Sequence, residues 1–167
     1  MDAGAASGGE PARVAHPPVY LAGLLLAGRR VVVVGGGGVA RRRVPTLIDA
    51  GAQVVVVAPE LHADLQPLVD VGAFSWRART YRAGDLDGAW YVQALTDSAP
   101  VNAAVVAESE RLHIFCVRAD RADEGSAWTP ATGFAPGATV AAITSHDPRR
   151  AARVRDRLVD VVIDEGL

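Results

Sequence analysis

Four consecutive glycines, Gly35, Gly36, Gly37 and Gly38, stand between the valine run Val31–Val34 and the basic stretch Arg41–Arg43. Within them Gly35, Gly37 and Ala40 fit G-x-G-x-x-A directly after a β-branched run, the pattern that seats a dinucleotide pyrophosphate on a helix N-terminus. The chemistry explains the residue types. The first glycine makes a tight turn, the second lets backbone approach phosphate, and the small Ala40 lets helix and strand pack closely. Free backbone N–H groups and the positive end of the helix dipole then meet the anion. Taken alone, the glycines would equally suit a flexible loop, so the flanking elements decide.

Those elements come in the required order. Val31–Val34 suits a buried parallel strand, and Val44, Leu47 and Ile48 recur at helical spacing from Val39 onward. Gly51 reads as the helix stop and Gln53–Val57 as a second buried strand. Leu61, Leu65, Leu68 and Val69 predict a helix over Leu61–Val71, ended by Gly72, and Ala73–Arg79 alternates as a half-exposed strand near a sheet edge. Tyr81–Gly88 has turn composition. Ala89–Leu95 reads as a strand, Val101–Leu112 as an amphipathic helix and Ile114–Val117 as a fifth strand. This alternation predicts an α/β fold with a Rossmann-type, doubly wound parallel sheet, whose ligands bind outside the carboxyl ends of the strands.

Beyond Asp120 the pattern changes. Ser126–Thr132 and Ala138–Thr144 read as two strands of a small β-hairpin turning at Pro136-Gly137. A final helix over Pro148–Ile163 carries five arginines in its first ten residues and an apolar stripe at Val154, Leu158, Val161 and Val162. A hairpin with one helix cannot hold a core alone, so a homodimer through this region is expected. The expected domains are a disordered leader over 1–16, a dinucleotide-binding domain over 17–120 and a dimerisation region over 121–167.

Composition narrows the chemistry. The 167 residues are 50% hydrophobic with a net charge of −2, a balance that suggests neither nucleic acid nor a membrane surface as partner. Val19–Ala27 is apolar but too short to span a bilayer. The one cysteine, Cys116, excludes an internal disulfide framework and a Cys-Cys zinc pair, in keeping with a reducing cytoplasm. His16, His62, His113 and His146 show no metal-ligand spacing, so no permanent metal site is expected. All 17 basic residues are arginine. The absence of lysine removes a P-loop amine, a pyridoxal Schiff base and a Tyr-x-x-x-Lys pair.

Several spaced segments together resemble one family. They are Pro18-Val19-Tyr20-Leu21, VVGGGGVARRR at the glycine turn, AGAQVVVVAPEL through the second strand, GDLDGAWYV, Thr96-Asp97 with Val101-Asn102, and Ile114-Phe115-Cys116 leading to Asp120. Over about residues 17–145 the chain resembles the precorrin-2 dehydrogenase/sirohydrochlorin ferrochelatase module, the N-terminal part of siroheme synthase. The resemblance implies oxidation of precorrin-2 to sirohydrochlorin with NAD as cofactor, and in many members insertion of ferrous iron as a further substrate. It implies that Asp120 is the essential aspartate, taking a proton as hydride leaves. By residue type alone Asp120 would equally suit a turn cap. Cofactor contacts carry over to Gly38-Val39 and to Pro59-Glu60.

A ribose-binding acid is due about 20 residues past the glycines. None stands in Val55–Ala58, which leaves Glu60 as the nearest candidate or as an exposed helix start. No arginine adjoins it to receive a 2′-phosphate, which favours NAD. Thr96 and Asp97 either border the cofactor or cap the following helix. A polycarboxylate substrate calls for arginines, and Arg118, Arg121, Arg149 and Arg150 are the best placed, with Ser145 beside them. Two departures from the family stand out: its serine-rich, double-glycine segment is replaced by Thr144-Ser145-His146-Asp147-Pro148-Arg149-Arg150, and one helix follows where longer members have a helical domain. A module that binds NAD(H) or tetrapyrrole without turnover is therefore the competing expectation, and a dehydrogenase of another substrate a third.

Overall fold

The computed structural model describes residues 19–143 and 147–166. The chain divides into two compact units, one of residues 23–129 and one that includes residues 130–166. The larger unit is a five-stranded sheet of β1 (Arg30–Val34), β2 (Gln53–Ala58), β3 (Ser75–Ala78), β4 (Tyr91–Ala94) and β5 (Phe115–Arg118). Its order is β3-β2-β1-β4-β5, every pair is parallel, and the order reverses beside β1. This is the Rossmann-type sheet that the alternation predicts.

The valine runs follow from burial on both faces. Val31, Val33, Val54 and Val56 pack on one face with Ala40, Val44 and Leu47 of helix α1 (Gly38–Asp49). Val32, Val34, Val55, Val57 and Val92 pack on the other with Val105 of helix α3 (Ala99–Arg111). Strands covered on both sides need no polar alternation, hence the near-continuous valine.

Two local expectations are corrected. The helix expected over Leu61–Val71 is a 3₁₀ turn, Ala63–Leu65, running into a short helix α2 (Gln66–Asp70). The His62 ring accepts a hydrogen bond from the Asp64 N–H and starts the chain late, and Pro67 can donate no backbone bond to an earlier turn. The strand expected over Ser126–Thr132 begins only at Ala131. Before that, the Ser126 hydroxyl accepts from the Cys116 N–H and the Ala127 N–H donates to the Cys116 carbonyl, so this stretch lines the free edge of β5.

No helix joins β3 to β4. The connection is the turn-rich segment around Tyr81–Gly88, held by two buried carboxylates in place of a packed helix. Asp85 accepts from Arg77, twice from Arg79 and from the Arg82 N–H, while Glu108 of α3 bonds the Tyr81 hydroxyl and the Gly84 N–H.

The smaller unit pairs β6 (Ala131–Ala135) and β7 (Ala138–Ala142) antiparallel, with helix α4 (Pro148–Glu165) on the hairpin. Arg155 of α4 donates to the Thr132 carbonyl at 3.0 Å. The charges of α4 are uneven: Arg149, Arg150 and Arg153 lie toward its N-terminus, Arg155, Asp156 and Arg157 in its middle, and Asp160 and Asp164 toward its C-terminus. Val154, Leu158 and Val161 stay 39%, 44% and 43% exposed, and Phe134 of β6 is also exposed, so three of the four residues of the expected apolar stripe are unburied within one chain and Val162 is half-buried. The leader expected over 1–16 lies outside the described residues.

Candidate active site

The glycine turn is squeezed between two strand ends. Gly35 follows β1 with φ 112°, and its N–H donates to the Val57 carbonyl at 2.9 Å. A Cβ on Gly35 would stand 2.8 Å from the Leu95 carbonyl, and one on Gly36 only 2.2 Å from the Glu60 carbonyl oxygen. The Gly36 carbonyl in turn accepts from the His62 N–H at 2.7 Å. Gly37 and Gly38 differ, because a Cβ on either would meet nothing within 4 Å. Gly37 is the N-cap of α1 and no side chain caps the helix there. The first-turn N–H groups thus lack a side-chain cap, and the positive end of the helix dipole lies there. A dinucleotide pyrophosphate fits this edge: an anion supplies the missing cap, and no Cβ blocks the approach.

Around the turn, Pro59 and Glu60 are exposed just beyond β2. Arg41 of α1 bonds Asp64 at 3.1 Å. Thr96 is half-buried at the end of β4 and Asp97 is exposed. Thr96 does more than begin a helix. Its N–H and hydroxyl both donate to the Asn102 Oδ1, at 3.1 and 2.7 Å, and its carbonyl accepts from the Asn102 Nδ2 at 2.8 Å.

The same Asn102 reaches the end of β5. Its Nδ2 donates to Asp120 Oδ1 at 2.8 Å, while Arg118 donates from Nε to Oδ1 and from Nη2 to Oδ2, each at 3.0 Å. The Asp120 side chain remains 31% exposed. The Arg118 guanidinium beside it, seconded by Asn102, outweighs desolvation and holds the carboxyl down at about 2. Asp120 is therefore an anion at neutral pH, held in one orientation and open on its solvent side.

Arg118 corrects an expectation. The guanidinium expected to meet substrate carboxylates is 4% exposed and committed to Asp120, to Glu124 at 2.5 Å and to the Ala99 carbonyl at 3.3 Å. It orients Asp120 and does not face solvent. Arg121 is exposed and pairs with Glu124 at 2.7 Å. Arg149 and Arg150 lie exposed on the first turn of α4, where Asp147 caps the Arg150 N–H. Ser145 lies outside the described residues.

Two features escape a reading of residue types. Asn102 occupies a fully buried helix position where spacing calls for an apolar side chain, and that mismatch was the available signal. The loop beyond β2 that closes on Gly36 through backbone groups left no signal in side-chain types. Among the described residues no group of three or more His, Cys, Asp or Glu could hold a metal ion. No described helix is long and apolar enough to cross a membrane.

With the glycine turn and its parallel sheet described, the family of proteins described as "Putative NAD(P)-binding" matches residues 23–131. The chain belongs to this NAD(P)-binding family. Among curated proteins, siroheme synthase 3 of Aeromonas hydrophila is 42% identical over 74 residues, 44% of this chain and 16% of that protein. The siroheme synthase of Ectopseudomonas mendocina is 47% identical over 85 residues, 51% of this chain and 18% of that one. The matched stretch thus spans under a fifth of these relatives. Among solved structures, "SirC, precorrin-2 dehydrogenase" aligns with a TM-score of 0.71 at 25% identity, over 86% of this chain and 71% of its own. Its fold is that of this NAD(P)-binding chain, hairpin and final helix included.

Proposed function

We propose that this chain is an NAD-dependent precorrin-2 dehydrogenase, forming sirohydrochlorin on the route to sirohaem. One observation carries the reading. The glycine turn abuts the end of β4 at Leu95, and the Thr96 that follows is tied through Asn102 to Asp120, so the anion-binding turn and a fixed carboxylate share one sheet edge. The siroheme synthase relatives and the SirC neighbour supply the substrate.

In this reading Gly35–Ala40 hold the pyrophosphate, Pro59 and Glu60 flank the adenosine ribose, and Thr96 and Asp97 border the nicotinamide end. Arg41, on the helix that follows the glycine turn, is paired with Asp64 of the loop beyond β2, which supports NAD over NADP. Held there, NAD would supply the hydride acceptor for the oxidation of precorrin-2. The chain's own work is electrostatic. Asp120 stabilises the positive charge that develops on the macrocycle as hydride leaves, accepts the departing proton at Oδ2 and passes it to water, since so weak a base does not retain it. Arg118 and Asn102 hold that carboxylate in place. Arg121, exposed just beyond that carboxylate, meets a substrate carboxylate.

Three further parts belong to the proposal. Ferrous iron is inserted as a second substrate at the same carboxylate. The chain works as a homodimer, because most of the apolar stripe of α4 is unburied and its arginine and aspartate ends would pair if two copies met antiparallel. It acts in the cytoplasm, consistent with the buried free thiol of Cys116.

A second reading, a dinucleotide-binding module without turnover, draws on the pairing of Asp120 with Arg118, which weakens the carboxylate as a base. Incubation of purified protein with precorrin-2 separates the two. The first reading expects sirohydrochlorin and reduced NAD in equal amounts, with little product from NADP. Dinucleotide binding without product would leave the second, and ferrous iron in a parallel sample reports chelation as sirohaem.

A further inference from the structure

Asn102 has no side chain left to spare for packing: it is fully buried on α3, and its amide makes four hydrogen bonds to the ends of two different strands. Its orientation is unambiguous. The Thr96 N–H can only donate, so Oδ1 faces Thr96, and Nδ2 is left to face the Thr96 carbonyl and Asp120. An apolar residue would fill the core as well but would strand the Thr96 backbone groups and release one side of Asp120.

We propose that Asn102 is the positioning residue of the site, fixing the carboxylate of Asp120 relative to the dinucleotide edge by clamping it to Thr96. The inference rests on the reading that Asp120 serves the dehydrogenation. Asn102 touches neither reacting atoms nor cofactor and acts through Asp120. The charged groups around that carboxylate are Arg118 of β5 with Arg121, Asp123 and Glu124 of the following loop, and α3 adds the Ala99 carbonyl on Arg118. Asn102 is thus the neutral donor on the α3 side, opposite Arg118.

Two substitutions test this. Asn102→Ala removes the clamp. Asn102→Asp keeps the shape but places an oxygen where Nδ2 stood, 2.8 Å from Asp120 Oδ1. At acid pH that new carboxyl holds a proton and donates it to Asp120, and at higher pH the two carboxylates repel. With cooperative melting showing that both variants fold, N102A should lose about 10- to 100-fold in kcat at every pH, with KM for NAD little changed. N102D should approach wild-type turnover at about pH 5 and fall by a similar factor as the pH rises through the shared ionisation. Folded N102A with wild-type kcat, or N102D with the wild-type pH profile, would overturn the proposal.

A second arm needs no turnover. Carbon-13 titration of the Asp120 carboxyl should show its proton affinity at least about tenfold higher in N102D than in wild type. An unchanged midpoint overturns the clamp. Wild-type protein inert toward precorrin-2 would instead defeat the dehydrogenase reading, leaving this titration to decide the contact by itself.

Discussion

Two glycines one residue apart should fail in opposite ways. Gly36 lies under the loop beyond β2, where a methyl group would stand 2.2 Å from the Glu60 carbonyl oxygen and 2.9 Å from a Leu61 methyl. Gly36→Ala must push that loop away, costing about 1–3 kcal/mol of overpacking. It also endangers the His62 to Gly36 hydrogen bond, worth about 1 kcal/mol. The sum, about 2–4 kcal/mol, lowers the melting temperature by roughly 5–15 °C in a chain of this size. Gly37 has open space and an N-cap position with ordinary backbone angles. Gly37→Ser therefore leaves stability unchanged or higher by a few tenths of a kcal/mol, because serine caps better than glycine. Its hydroxyl, however, takes the first-turn N–H groups that would hold the pyrophosphate. The loss of one charge-assisted hydrogen bond, about 1.5–3 kcal/mol, weakens NAD binding by about 10- to 150-fold. Thermal melts and calorimetric titration with NAD measure both. Wild-type NAD affinity in G37S would refute the seating of the dinucleotide on α1, and a wild-type melt for G36A would refute the close packing of the turn.

Further outcomes follow from the rest of the fold. Asp85→Asn leaves Arg77 and Arg79 without their buried partner and should cost about 2–3 kcal/mol in urea melts at pH 7, less than a fully buried pair because both arginines can reach water. Hydrogen bonds from Arg79 chiefly hold the Asp85 carboxyl well below the usual range. Its stabilisation is present above about pH 3.9 and fades as the pH falls below that, so the difference between variant and wild type should shrink at pH 3. His113 sits just past α3 with φ 56°, so His113→Gly should raise stability by about 1 kcal/mol, read as a higher melting temperature. Leu158→Arg should convert a sedimenting dimer to monomer while sparing NAD affinity; a variant that sediments as wild type would remove the α4 stripe as the interface.

The sheet was legible because its signals are local. Val31–Val34 and Gln53–Val57 are valine runs that suit strands covered on both faces, and the glycines between them mark the turn. Helix ends were harder where backbone and side chain compete, as at His62 and Pro67, and strand starts where pairing is tertiary, as at Ser126. The site was half legible. Gly35–Ala40 announce an anion turn through their types, and a resemblance supplied Asp120. Arg118 could not be read the same way, because an arginine beside an aspartate looks like a surface pair until the fold buries one of them, and Asn102 left only the mismatch of a polar residue at an apolar helix position. Arg118 at 4% exposure changes from a substrate contact into the group that holds Asp120.

The direct test of the account is to measure NAD binding and sirohydrochlorin formation together in wild type and Asp120→Asn. Asparagine keeps the shape and removes the anion. The account predicts NAD affinity within about threefold of wild type, with turnover of precorrin-2 reduced by at least about 100-fold. Turnover that survives the loss of the carboxylate, or NAD binding that disappears with it, would contradict a single site in which the glycine turn holds the cofactor and Asp120 serves the chemistry.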